Sequence, residues 1–162
     1  MKYFLMIFCI GAASHSEAQA TLIDSAVYEP IKMLFAGMHQ GDSAMVRRAF
    51  IASPILATVG KDEAGNATLR YDDLQKFLTA VGTPHAEAWS EAVWDTRIQS
   101  DGNLAQVWEK YAFYVGNRFS HCGVDAFQLF KDNDGKWKIF FVADTRQTEG
   151  CVVPRATGEQ FK

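Results

Sequence analysis

The chain has 162 residues, of which 48% are hydrophobic and 22% charged, with a formal net charge of −3. That length suits one domain with a full core and is too short for two. Mild acidity with no basic stripe excludes nucleic acid and an anionic membrane surface as partners.

Residues 1–20 read as a secretory signal segment. Lys2 supplies a positive charge, Tyr3–Ala13 is an apolar run too short to span a bilayer comfortably, and Ala18-Gln19-Ala20 fits the small-x-small cleavage pattern. Cys9 lies too early, behind bulky Phe8, to be a lipid-modified cysteine. Cleavage after Ala20 leaves residues 21–162 as a single domain. Its expected place is the periplasm or the secreted fraction, with no membrane contact after cleavage. Two cysteines then remain, Cys122 and Cys151. An oxidising compartment favours a bridge between them, with two buried thiols as the alternative. Such a bridge requires Gln147–Gly150 to fold back. With His121 they make too few soft ligands for a metal site.

From Asp24 to Gln40, Val27, Ile31, Leu34, Phe35 and Met38 recur at helical spacing, and Pro30 suits a first turn, so the regular helix is expected to begin near Glu29. Asp42 or Ser43 caps a second short helix through Phe50, with Arg47 and Arg48 facing water. Ile55–Val59 reads as an edge strand, Lys61–Ala67 as polar loop, and Tyr71–Val81 as a helix closed by Gly82-Thr83-Pro84. From Trp89 the period changes to two. Ala92, Trp94, Thr96 and Ile98 share one face of a strand. After the turn at Ser100–Asn103, Ala105, Val107, Glu109, Tyr111 and Phe113 share a face opposite Trp108, Lys110, Ala112 and Tyr114. A hairpin follows, Asp125–Lys131 and Trp137–Asp144 about the turn Asp132–Gly135. In the simplest register Phe127 faces Phe141 and Leu129 faces Ile139.

This order, helices first and then an antiparallel meander, predicts an α+β domain with helices packed on one face of a curved sheet. The blocks Ala105–Tyr111, His121–Leu129, Gly135–Ile139 and Asp144-Thr145-Arg146, after the helix ending in Gly41-Asp42, resemble the nuclear transport factor 2-like (NTF2-like) superfamily. More narrowly, the chain is similar to its exported bacterial SnoaL-like, or lumazine-binding, group. The resemblance implies a cone-shaped fold whose N-terminal helices cover the concave face of the sheet, with a deep pocket between them. Superfamily members include isomerases, cyclases and dehydratases, ligand binders and assembly domains, and sheet-face dimers are common among them. A homodimer through that face is therefore expected, and Trp108, Tyr114 and Phe140 on the convex side are the residues that would form its apolar patch.

Period-two placement puts His121 and Asp125 on one face of an extended segment, with Tyr111 facing inward from the neighbouring strand. A buried carboxylate beside a histidine and a phenol is equipped for general acid–base work, and the same groups serve equally as structural hydrogen-bonding residues. Trp94, Glu109, Tyr111, Phe113, Phe127 and Phe141 are the expected ligand-contacting set. An Asp144–Arg146 pair reads as a strand-end salt bridge. No glycine-rich phosphate loop or ligand cluster is present, so no metal, nucleotide or flavin cofactor is expected. Binding of a small apolar or aromatic molecule is the leading function. A cofactor-independent isomerase or dehydratase is the alternative, and a structural dimerisation domain, its pocket collapsed by Phe77, Phe113 and Phe127, is a third.

Overall fold

A computed structural model describes residues 13–158, with side chains from Ser25 onward. The expected signal segment falls largely outside the described residues, and from Ala13 the chain is helical through the expected cleavage point. Helix α1 (Ala13–Gln40) buries Val27, Ile31, Leu34 and Met38 along one stripe. Pro30 lies inside this helix rather than at its start, where it removes one backbone hydrogen bond. No helix among the described residues is long and apolar enough to cross a membrane.

Helix α2 (Ser43–Ala49) opens on Asp42, whose carboxylate accepts the Met45 N–H at 2.8 Å. Arg47 does not face water as expected. Its guanidinium closes the end of α2 by donating to the carbonyls of Ile51 (2.7 Å) and Ala52 (3.3 Å).

The strands are β1 (Phe50–Lys61), β2 (Ala67–Asp72), β3 (Trp89–Asp101), β4 (Leu104–Val115), β5 (Arg118–Lys131) and β6 (Trp137–Thr145), with α3 (Leu74–Gly82) between β2 and β3 and a short α4 (Arg155–Gly158) at the end. They form one sheet in the order β2-β1-β6-β5-β4-β3, antiparallel except for the parallel pair β1–β6. Ile55–Val59 is therefore interior, between β2 and β6, and β2 is the edge. Tyr71 and Asp72 belong to β2, and the helix begins only after the Asp73 cap, which accepts the Lys76 N–H at 2.9 Å. The strand expected from Asp125 begins at Arg118, because pairing with β4 extends it backwards.

Two bulges divide faces that simple alternation keeps together. In β3, Trp94 pairs with Lys110 and Arg97 with Trp108, so Asp95 and Thr96 together oppose Glu109, and Asp95 adopts φ 55°. Ala92 and Trp94 consequently pack on the convex side with Ala112 and Tyr114, while Ile98 joins the main core on the concave side. Between β5 and β6, Leu129 faces Ile139 as expected, but Gln128 faces Phe141 and Phe127 faces Val142. The extra residue is Phe140; it moves Phe141 off the concave face and puts Val142 there instead.

Cys122 and Cys151 are bridged, with a Cα–Cα distance of 6.0 Å. The tail folds back as the bridge requires. Gln147 exchanges both backbone hydrogen bonds with Cys122 at 2.9 Å, and Gly150 takes φ 72°. Cys151 and Val153 then pack over Ala92, Ala112 and Tyr114. Tyr114 is thus covered rather than exposed beside Trp108, which remains 53% exposed. Replacing both cysteines with serine is expected to lower stability by about 3 kcal/mol, read from urea unfolding, because the open chain regains the entropy of a long loop.

Candidate functional site

A cavity of about 450 Å³ lies between α1, α3 and the concave face of the sheet. Its walls are aromatic. Phe35 meets Phe127 edge-on at 6.3 Å between ring centroids, Trp89 meets Phe113 at 6.0 Å, and Phe77 closes the side toward α3. Its floor is ionisable, formed by Glu91, Tyr111, His121, Asp125, Asp144 and Arg146.

The floor follows from strand register. Glu109 of β4 lies opposite Asp125 of β5, Asp125 opposite Asp144 of β6, and Asp144 opposite Thr58 of β1. Side chains directly opposed on one face stand about 5 Å apart. At that distance two full negative charges repel by about 3 kcal/mol even at an effective dielectric of about 20. Three carboxyls in such a row do not all ionise without compensation.

Each is treated differently. Asp144 accepts from Arg146 Nε at 2.5 Å, from Thr58 Oγ1 at 2.6 Å and from the Tyr111 hydroxyl at 3.3 Å. Glu109 is fully buried, and its Oε2 accepts both the Tyr28 hydroxyl of α1 at 2.6 Å and Thr96 Oγ1 at 2.9 Å. Burial raises the Glu109 pKa above the ordinary carboxylate range, and these two donors pull it back. Asp125 is 6% exposed, and its Oδ2 has no partner among the described residues. Burial pushes its pKa well above the carboxylate range, the charges of Glu91, Asp144 and Glu109 add to that, and Arg146 opposes it. Glu91 opens on the same cavity, and burial together with Glu109 and Asp144 pushes it up to about 8. Burial first, and neighbouring carboxylates second, hold the Tyr28 and Tyr111 phenols above their usual range. His121 is lowered by burial and by Arg146, so its ring is neutral at pH 7.

Gly123 lets this arrangement form. A Cβ there would lie 1.8 Å from the Thr145 carbonyl oxygen, which leans over β5 at that point. The Tyr111 hydroxyl donates to that same carbonyl at 2.9 Å. Tyr111 therefore does not bond Asp125.

Of the residues singled out from sequence, Tyr111, His121 and Asp125 all line the cavity, as do Phe113 and Phe127. The His121 ring stacks on Phe113 at 5.0 Å and meets Tyr111 edge-on at 5.6 Å. Three do not line it. Trp94 and Phe141 are carried away by the bulges, and Glu109 sits behind the floor under Tyr28. Sequence reasoning missed Glu91, whose place on the concave face depends on the break in alternation at Asp95, and took Asp144 and Arg146 for a strand end rather than a cavity wall. Among the described residues no cluster of three or more His, Cys, Asp or Glu is placed to hold a metal ion.

The raised carboxyls fix the sign of a stability profile. A carboxyl with a native pKa above its unfolded value stabilises the fold in full below the ordinary carboxylate range, and that contribution is lost as pH climbs toward the native value. Urea midpoints are expected to fall between about pH 4.5 and pH 8, where the unfolded chain binds fewer protons than the native one. Asp125→Asn is expected to flatten this slope and to gain on the order of 1 kcal/mol relative to wild type across that interval.

No curated protein matches the chain. Solved structures share its fold at low identity. An NTF2-like protein of unknown function from Shewanella baltica is 18% identical, with a TM-score of 0.57 over 86% of this chain and 100% of that one. A protein of unknown function with a cystatin-like fold from Nostoc punctiforme is 14% identical, with a TM-score of 0.62 over 79% and 93%. An NTF2-like protein from Novosphingobium aromaticivorans is 11% identical, with a TM-score of 0.61 over 90% and 96%. The family model described as "Putative lumazine-binding" matches residues 23–142. The chain belongs to that family, and its fold is the one these NTF2-like structures share.

Proposed function

We propose that the protein is an exported binding protein that takes a small apolar or aromatic molecule into the cavity between helices and sheet. The observation that carries this is the cavity itself. Phe77, Phe113 and Phe127 line about 450 Å³ of space instead of filling it. That volume falls among small-molecule sites, and aromatic walls with a few convergent polar groups are their usual composition. The open cavity speaks against a purely structural dimerisation domain. The Cys122–Cys151 bridge is compatible with an oxidising compartment.

Native mass spectrometry of the protein from its host's periplasmic or secreted fraction tests the reading directly. A retained small molecule supports it, and a bare chain that also ignores a panel of aromatic probes counts against it. Filling the cavity is the companion test. Ala80 of α3 lines it, and Ala80→Trp is expected to weaken aromatic binding by about tenfold or more, as judged by the volume such sites require.

A second reading rests on Asp125. A buried carboxyl with a raised pKa and one unpartnered oxygen, in one cavity with a neutral imidazole and a phenol, is equipped for proton transfer in an isomerase or dehydratase. Under that reading Asp125→Asn abolishes turnover of a bound substrate while leaving it bound; a protein that binds and never converts its ligand retains only the first reading.

A further inference from the structure

The phenol donors of the cavity floor are committed internally. The Tyr28 hydroxyl is committed to Glu109, and that of Tyr111 to Thr145 and Asp144. The guanidinium of Arg146 is held on Asp144, and that of Arg70, nearer the mouth, on Asp72 at 3.1 Å. Lys76 stands exposed on α3. Carboxyls remain at the floor: Asp125, whose buried Oδ2 has no hydrogen-bond partner among the described residues, and Glu91, to which no basic group among them is bonded.

We infer that the ligand of this cavity carries a cationic nitrogen on an aromatic or apolar frame, seated against Asp125 and Glu91. This rests on reading the cavity as a ligand site. An anionic ligand meets two carboxyls, with Arg146 and Arg70 already paired and only Lys76, exposed on α3 at the cavity wall, left to answer it. A neutral acceptor takes one acid proton and leaves the second carboxyl unanswered. A protonated amine offers several N–H groups to both, and the surrounding rings of Phe113, Trp89 and Phe127 suit its apolar frame.

The binding step carries a proton balance. Asp125 is faced by Glu91 from β3, Glu109 and Tyr111 from β4, Asp144 from β6, Arg146 just beyond it and Tyr28 from α1, with His121 on its own strand. Among these the carboxyls outnumber Arg146, which favours the protonated forms of Asp125 and Glu91 before a ligand enters. When the ammonium enters it supplies the positive charge, the acid O–H bond breaks, and the proton leaves to buffer.

The test uses the intact, disulfide-bonded protein and a matched set on one ring, tryptamine, tryptophol and indole-3-acetate, titrated calorimetrically in buffers of different ionisation heat. Tryptamine is expected to bind at least about tenfold more tightly than tryptophol, as a charge-assisted contact requires. Its affinity rises between about pH 6 and pH 8, with proton release into the buffer. Asp125→Asn and, independently, Glu91→Gln bring the amine-to-alcohol ratio toward unity. Equal or tighter binding of the alcohol or the acid overturns the cationic inference and leaves the cavity reading standing. Silence from all three, in protein shown to be folded by near-ultraviolet circular dichroism, overturns both.

Discussion

Three carboxyl groups lie in register on one face of three adjacent strands, close enough for their charges to repel. That repulsion is the constraint around which the rest of the domain is arranged. Glu109 is answered by a phenol from the first helix and a hydroxyl delivered by the β3 bulge. Asp144 is answered by the arginine two residues on and by Thr58 from the parallel neighbour strand. Asp125, between them, has no such answer for its Oδ2, and burial beside its neighbours' charges pushes its pKa well above the carboxylate range. The solutions are interdependent, since the Tyr28 bond that settles Glu109 also ties α1 to the sheet across 81 residues of sequence.

Packing at the end of β6 serves the same end. Because residue 123 has no side chain, the Thr145 carbonyl comes down onto β5, and the Thr145 hydroxyl accepts the Val124 N–H at 3.0 Å. Tyr111 spans the glycine from β4 and finishes on that carbonyl. The strand end is thereby fixed at the level where Asp144 and Arg146 turn toward the cavity.

Much of this was legible in the sequence where alternation runs unbroken. Along β4, Ala105, Val107, Glu109 and Tyr111 are all buried on one face, and along β5 His121, Asp125 and Phe127 follow the same rule. The disulfide was legible too, from the cysteine count and the expectation of an oxidising compartment. What escaped lies where the period breaks or where partners are distant. Asp95 takes a left-handed conformation with no glycine to announce it, so Trp94 was assigned to the wrong face and Glu91 was overlooked. Phe140 is an ordinary strand former placed in a bulge, so Phe141 and Val142 exchanged roles. The β1–β6 pairing joins segments more than 80 residues apart, and no local pattern reveals a parallel neighbour. Tyr71 and Asp72 continued a helical spacing that pairing with β1 overrode.

The disulfide-held tail has a further consequence for the convex side of the sheet. By pinning Cys151 and Val153 across Ala92, Ala112 and Tyr114, it roofs one end of that side. Beyond the roof, Tyr71, Ala57, Ala143, Ala126 and Trp108 follow one another in register across β2, β1, β6, β5 and β4, a shallow trough of methyl groups walled by two rings. The tail acts as a fence. It narrows the stretch of sheet left uncovered, and the sulfur bridge is one of the ties that hold it, beside the backbone pair of Gln147 with Cys122.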